Sequence, residues 1–351
     1  MKKIIFAMAA VSLIIISTIS CEKKSGEPDP FEKVYARVSD PENEYFWEQF
    51  HSGNARNVTE VISRLEKQYQ EDSTNVIAAA HLGFAHFWLL AEGIRQGVPV
   101  DNLPLAVTKA YHYFMKAYQL NPNDKRVLGF LADAEMSYAG MMQSAPLLQQ
   151  GYARGLQSIS DWPEFNKFTI GTTFSSDAPD TELFKTALEW QWTTLEDCYT
   201  SPIDRSNPNI QRFISRDMSG HNLGRDRACY NSWIAPHNIE GYFLHMGDMI
   251  VKTGDYQTAA KVYELAKASP DYATWEFKPV LEKRIQNAQR NTQTFLDNSQ
   301  QGIDNVIISV SGSLCMSCHK MSTADQSRFN QFNWKKFFKE KDIYSINGLK
   351  N

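Results

Sequence analysis

Between Phe243 and Pro270 the sequence spells out one helix–turn–helix unit, and this unit constrains the fold more than any other feature of the chain. Phe243, Met246 and Ile250 recur at helical spacing and share one face. Gly254 then offers a left-handed stop, and Asp255 offers an N-cap for a second helix. Ala259, Tyr263 and Ala266 line one face of that second helix, and Pro270 ends it. Gly247 and Ala266 are small where the two helices approach.

A second stretch has the same grammar. Leu82-Gly83 lies on a first helix, and Ala110, Phe114, Ala117 and Pro122 mark a second. Residues from about Gly93 to Pro104 lengthen the turn between them, and further helices are predicted over Arg126–Met142 and Arg56–Asp72. Both stretches resemble tetratricopeptide repeats. The resemblance implies a mainly α fold, a TPR-like array of helical hairpins whose concave surface docks another protein. The two units are not separated by a whole number of ~34-residue repeats, so the array is interrupted. The interruption is expected at about 144–237, where the sequence is rich in Trp, Thr, Ser, Asp and Pro. It is predicted to be irregular except for one helix, capped by Asp180 and burying Phe184, Leu188 and Leu195.

The N-terminal residues read as export. Lys2 and Lys3 precede an uncharged run from Ile4 to Ser20, short for a transmembrane helix, so residues 1–20 are read as a signal peptide. Cys21 after Ser20 resembles the lipobox cysteine of bacterial lipoproteins, which implies lipidation of Cys21 and attachment to a membrane. A signal cleaved without lipidation, or a retained anchor, are the alternatives. Residues 21–42 form a polar, proline-containing linker. Glu22, rather than Asp, beside the anchor favours the outer membrane, in a periplasm-facing position in the bacterial cell envelope. An oxidising compartment permits a disulfide between Cys198 and Cys229; two separate buried thiols are the other reading.

Residues 315–319 read Cys-Met-Ser-Cys-His. With five cysteines and eight histidines in the chain, chance would produce this pattern at a rate of roughly 0.002. The sequence resembles the haem-attachment motif of c-type cytochromes. The resemblance implies one covalent haem c, bonded through Cys315 and Cys318, with His319 as the proximal axial ligand of the iron. Two thiols on one helical turn match the vinyl groups of haem, and the adjacent imidazole lies under the metal. Haem is attached outside the cytoplasm, where the signal directs this chain. A thioredoxin-type pair would open a helix within a βαβ unit, and a zinc site would need further ligands; neither context is evident here.

The haem segment is taken as 299–351 and the helical domain as 43–298. A short strand is predicted at Val306–Val310, and a helix near Ser327–Lys341 carrying Phe329, Phe332, Trp334, Phe337 and Phe338. Lys335, Lys336 and Lys339 on that helix offer either a solvated face or a surface for an acidic redox partner. Met321 lies two residues from His319, a reach of about 7 Å at most, too short to round a porphyrin. The distal axial ligand is therefore unassigned. The candidates are Met141, Met142, Met218, His221, His237, His245 and Met246, each with an ordinary packing or loop role as its rival. No nucleotide-binding or hydrolase motif announces catalysis, and no basic block suggests nucleic acid. The leading expectation is an exported monohaem c-type cytochrome lipoprotein in electron transfer or a redox-accessory role, with a protein redox partner. The rivals are a haem enzyme or gas or peroxide sensor with an open distal site, and a haem-free scaffold with a Cys315–Cys318 disulfide.

Overall fold

The computed structural model describes residues 41–209, 228–229, 239–269 and 271–321. The described residues are mainly helical, with twelve α-helices and no strand among them. In chain order these are α1 (Pro41–Ser52), α2 (Val58–Glu71), α3 (Val76–Trp88), α4 (Leu103–Leu120), α5 (Lys125–Met141) and α6 (Ala145–Asp161). They continue as α7 (Pro163–Thr173), α8 (Glu182–Tyr199), α9 (Ile239–Lys252), α10 (Tyr256–Leu265), α11 (Lys278–Thr294) and α12 (Leu314–His319). Each helix from α1 to α8 packs on the next, as do α9, α10 and α11. Helix α12 returns to touch α9 and α1, so the end of the described chain closes on its beginning.

The local signals act where the sequence places them. Asn75, Asn102, Asp124 and Asp255 each cap a helix by accepting backbone N–H groups of its first turn, worth about 1 kcal/mol apiece. Gly254 has φ +92° and turns α9 into α10. A Cβ on Gly247 would lie 2.2 Å from the Tyr263 ring, and one on Gly83 would lie 2.8 Å from the Phe114 ring. The α3–α4 and α9–α10 pairs thus use one device: a missing side chain on the first helix receives an aromatic ring from the second. Leu82, Ala110, Phe114, Ala117, Met246, Ala259, Tyr263 and Ala266 are all buried.

Two expectations are corrected. The segment from 144 is not irregular: α6, α7 and α8 occupy most of it as far as Tyr199. The buried face of α6 is small and polar, made by Gly151, Gly155 and Ser158, whereas α7 and α8 bury Phe165, Phe168, Ile170, Phe184 and Trp192. Gly151 sits close against Met136 of α5, and buried Asn166 donates to the carbonyls of Ser158 and Lys125. In α6, hydrophobic periodicity therefore carries little of the signal. The cap of α8 is Thr181, one residue after Asp180; Phe184 and Leu195 are buried below it, and Leu188 is half-buried.

Val306–Val310 is the second correction. It is a run of turns and not a strand. Its Ile308 N–H donates to the Asp248 carboxylate at 2.7 Å, and Arg284 donates to the carbonyls of Ile303 and Val306, each at 2.7 Å. Side chains supply the partners that a neighbouring strand would otherwise provide.

Cys198 and Cys229 are joined in a disulfide with a Cα–Cα distance of 5.4 Å. Residues 1–40, which hold the signal, Cys21 and the linker as far as residue 40, lie outside the described residues, as do Met218, His221, His237, Pro270 and the helix expected near Ser327–Lys341; the last two residues assigned to the linker, 41 and 42, already belong to α1.

Candidate functional site

The Cys315–His319 motif forms α12, and the body of the protein grips this short helix from several sides. Leading into it, Asp248 of α9, Tyr263 of α10 and Arg284 of α11 form a buried cluster. Arg284 pairs with Asp248 at 2.9 Å, and the Tyr263 hydroxyl donates to the same carboxylate at 2.6 Å. The cluster anchors residues 303–308 through the hydrogen bonds already described. Three consecutive helices thus fix the segment that delivers the motif.

The start of α12 is held by the end of α3. That helix runs into a single π turn, Leu89–Gly93, a geometry that often marks functional positions. The turn carries Glu92, whose buried carboxylate accepts the Met316 N–H at 2.7 Å. This satisfies one of the four backbone donors left open at the start of a helix. Arg95 lies 3.7 Å from the second Glu92 oxygen and donates to the Gly312 carbonyl at 3.1 Å. Burial lifts the Glu92 carboxyl to about 7, against the pull of the Met316 N–H and Arg95.

The flank of α12 rests on α9 at Gly241. A Cβ there would lie 2.5 Å from the Ser317 carbonyl oxygen and 2.6 Å from Cys318 Sγ, so only glycine permits this approach. Trp275 Nε1 donates to the same Ser317 carbonyl at 2.9 Å. At the far end, the Met321 N–H donates to the His51 carbonyl at 3.0 Å, and Lys320 pairs with Glu276. The His319 ring lies against Phe50 of α1, with centroids 5.2 Å apart, and Phe50 meets Trp88 edge-on at 5.3 Å.

Cys315 and Cys318 are unpaired thiols, in contrast to the bonded Cys198 and Cys229. Cys318 is 3% exposed, and Cys315 and His319 are half-buried. Burial pushes the Cys318 thiol up to about 12, and the Glu240 charge adds to the shift. Burial likewise raises the Cys315 thiol, helped by the charges of Glu92 and Asp133. Both stay protonated at neutral pH. A reactive thioredoxin-type cysteine or a zinc thiolate calls for the opposite surroundings. Among the described residues, no three His, Cys, Asp or Glu side chains converge to hold a metal ion.

Of the remaining candidates, Met141 is half-buried and Met142 exposed at the end of α5. Met246 is buried in the core cluster shared by α9 and α10. His245 is fully buried beside Phe168 and Thr172 of α7. Sequence reasoning missed Glu92, Gly241 and Trp275. One signal for Glu92 was present: it is the only charged side chain between Val76 and Gly93, an apolar stretch that is 78% buried. No protein-family model matches the chain, and neither a curated protein nor a solved structure matches it.

Proposed function

We propose that this chain is an exported, lipid-anchored c-type cytochrome. Its TPR-like helical body carries one covalent haem on Cys315 and Cys318, with His319 on the iron, and serves electron transfer or a redox-accessory role. One observation carries the reading: two unpaired thiols and the following imidazole lie on a single short helix that α1, α3 and α9 hold in place.

The donor set fits the group. The thiols are neutral and neither is tied up in a disulfide. They sit one turn apart, and a glycine makes room for the second of them. Bound haem supplies a one-electron iron couple whose potential depends on axial ligation, burial and nearby charge. The chain's own part is to orient and to exclude water. Phe50, backed by Trp88, presents apolar surface beside His319, and Trp275, Glu92 and Gly241 fix the helix from which Cys315, Cys318 and His319 project. The stacked helical pairs offer surface for a protein redox partner. Lipid on Cys21 would tether the protein at the periplasm-facing side of the outer membrane.

The test is a pyridine haemochrome spectrum and an intact mass of mature protein from a host with haem-attachment machinery. The expected result is one covalent porphyrin per chain, lost in the Cys315→Ala, Cys318→Ala double variant. A colourless, folded wild-type protein with no added mass would reduce the proposal to an anchored helical scaffold.

A further inference from the structure

The second axial position is unassigned by the motif, and helix α9 carries a side chain suited to it. A buried stripe runs along α9 through Gly241, His245, Asp248 and Lys252. Three of its four members have a visible task. Gly241 admits Cys318, Asp248 binds the Ile308 N–H, and Lys252 donates to the carbonyls of Ser175, Ser176 and Asp177 at the end of α7. His245 is the exception. It is fully buried, its Nδ1 has no hydrogen-bond partner, and its Nε2 has only a long 3.4 Å contact to Thr172 Oγ1. A buried imidazole left this way forfeits hydrogen-bond energy unless something else engages it.

Its position points to what that is. His245 is one turn from Gly241, about 6 Å along the helix axis, and Gly241 is where Cys318 Sγ lies against α9. That step is comparable to the span from a porphyrin's edge to its centre. Cys318 therefore lies against the same helix as His245, one turn away from it. His319 lies apart, against Phe50 of α1. Burial keeps the His245 imidazole neutral, the form that binds a metal.

We infer that His245 is the distal axial ligand of the haem iron, giving bis-histidine coordination with His319. This rests on the haem reading and goes beyond it, since it excludes an open site for small molecules. Met246, on the same helix, points into the core shared with α10 and is passed over.

The experiment uses the holoprotein and reads coordination rather than activity. Ferric wild type should show low-spin, six-coordinate absorption and electron paramagnetic resonance spectra. His245→Ala should lose the low-spin signal entirely while keeping its covalent porphyrin by haemochrome and mass, and added imidazole should restore it. His245→Gln, which refills the space without ligating, should behave as the alanine variant does; circular dichroism checks that both stay helical. His245→Met should stay low-spin with a higher reduction potential. A wild type that is already high-spin, or a His245→Ala protein that remains low-spin without imidazole, would overturn the assignment while leaving the haem in place. Absence of covalent porphyrin from the wild type removes the haem reading itself, and the haemochrome distinguishes that result from the others.

Discussion

The Glu92 carboxylate accepts the backbone N–H of Met316 at 2.7 Å across a sequence separation of 224 residues. It is the contact by which the first third of the chain sets the direction of the Cys315–Cys318 turn.

That contact has a pH signature. Burial raises the folded-state Glu92 pKa from 4.5 to about 7, so the folded chain retains a proton that the unfolded chain releases. The stability this gives is complete below about pH 4.5 and is lost as pH rises through about 7, a swing of order 3 kcal/mol at most. Glu92→Gln should remove this component. Denaturant midpoints at about pH 5 and about pH 8 should then differ less in the variant than in wild type. An unchanged difference would mean that Glu92 does not titrate in that window.

Gly241→Ala places a methyl group against a backbone carbonyl and a sulfur that cannot both move aside. Its cost is expected at about 1–3 kcal/mol. The consequence for α12 should be larger than for the rest of the fold. Hydrogen exchange should accelerate over 312–319 while α3 and α4 keep their protection. Uniform acceleration across all helices would argue that Gly241 supports α9 alone.

Removing one member of the Asp248–Arg284 pair strands a buried charge, which costs about 3–5 kcal/mol. Arg284→Met should also free residues 303–308, whose carbonyls at Ile303 and Val306 it binds. Limited proteolysis should then cut between 299 and 312 before any other site in the helical domain. Cleavage elsewhere first would show that the segment holds without its arginine.

The Cys198–Cys229 bond spans 31 residues, and a loop of this size is stabilised by about 3–4 kcal/mol through restriction of the unfolded chain. Cys198→Ser should lower the unfolding midpoint accordingly, with Cys315 and Cys318 untouched. A midpoint equal to that of wild type would show that the two sulfurs are not joined in the mature protein.

The sequence was legible wherever a single residue dictates local geometry. Gly254 and Asp255 act as stop and cap, and Gly247 is small where the two helices meet, as their types and spacing imply; that Tyr263 fills the space at Gly247 and Phe114 the space at Gly83 emerged only in the structure. It was opaque where packing is carried by small or polar groups, as at Gly151, Ser158 and Asn166, because apolar periodicity then falls silent. It misled at Val306–Val310, where β-branched residues suggest a strand but Asp248 and Arg284 satisfy the backbone from a distance. Cys315, Cys318 and His319 could be grouped from their spacing, and they lie on one short helix. Glu92, Gly241 and Trp275 could not, since their relation to Cys318 exists only once α3, α9 and the Tyr272–Thr274 turn have come together.

The enclosure of Cys318 has a consequence for the order of events in biogenesis. A sulfur wedged between a tryptophan-bound turn and a glycine notch cannot be approached by another macromolecule after the chain has closed. On the proposal that Cys318 carries haem, the attaching enzyme must act on a tail not yet docked, with the rest of the helical body waiting. Docking of that tail would then be the last act of maturation, and a chain that closed early would be locked in the unmodified state.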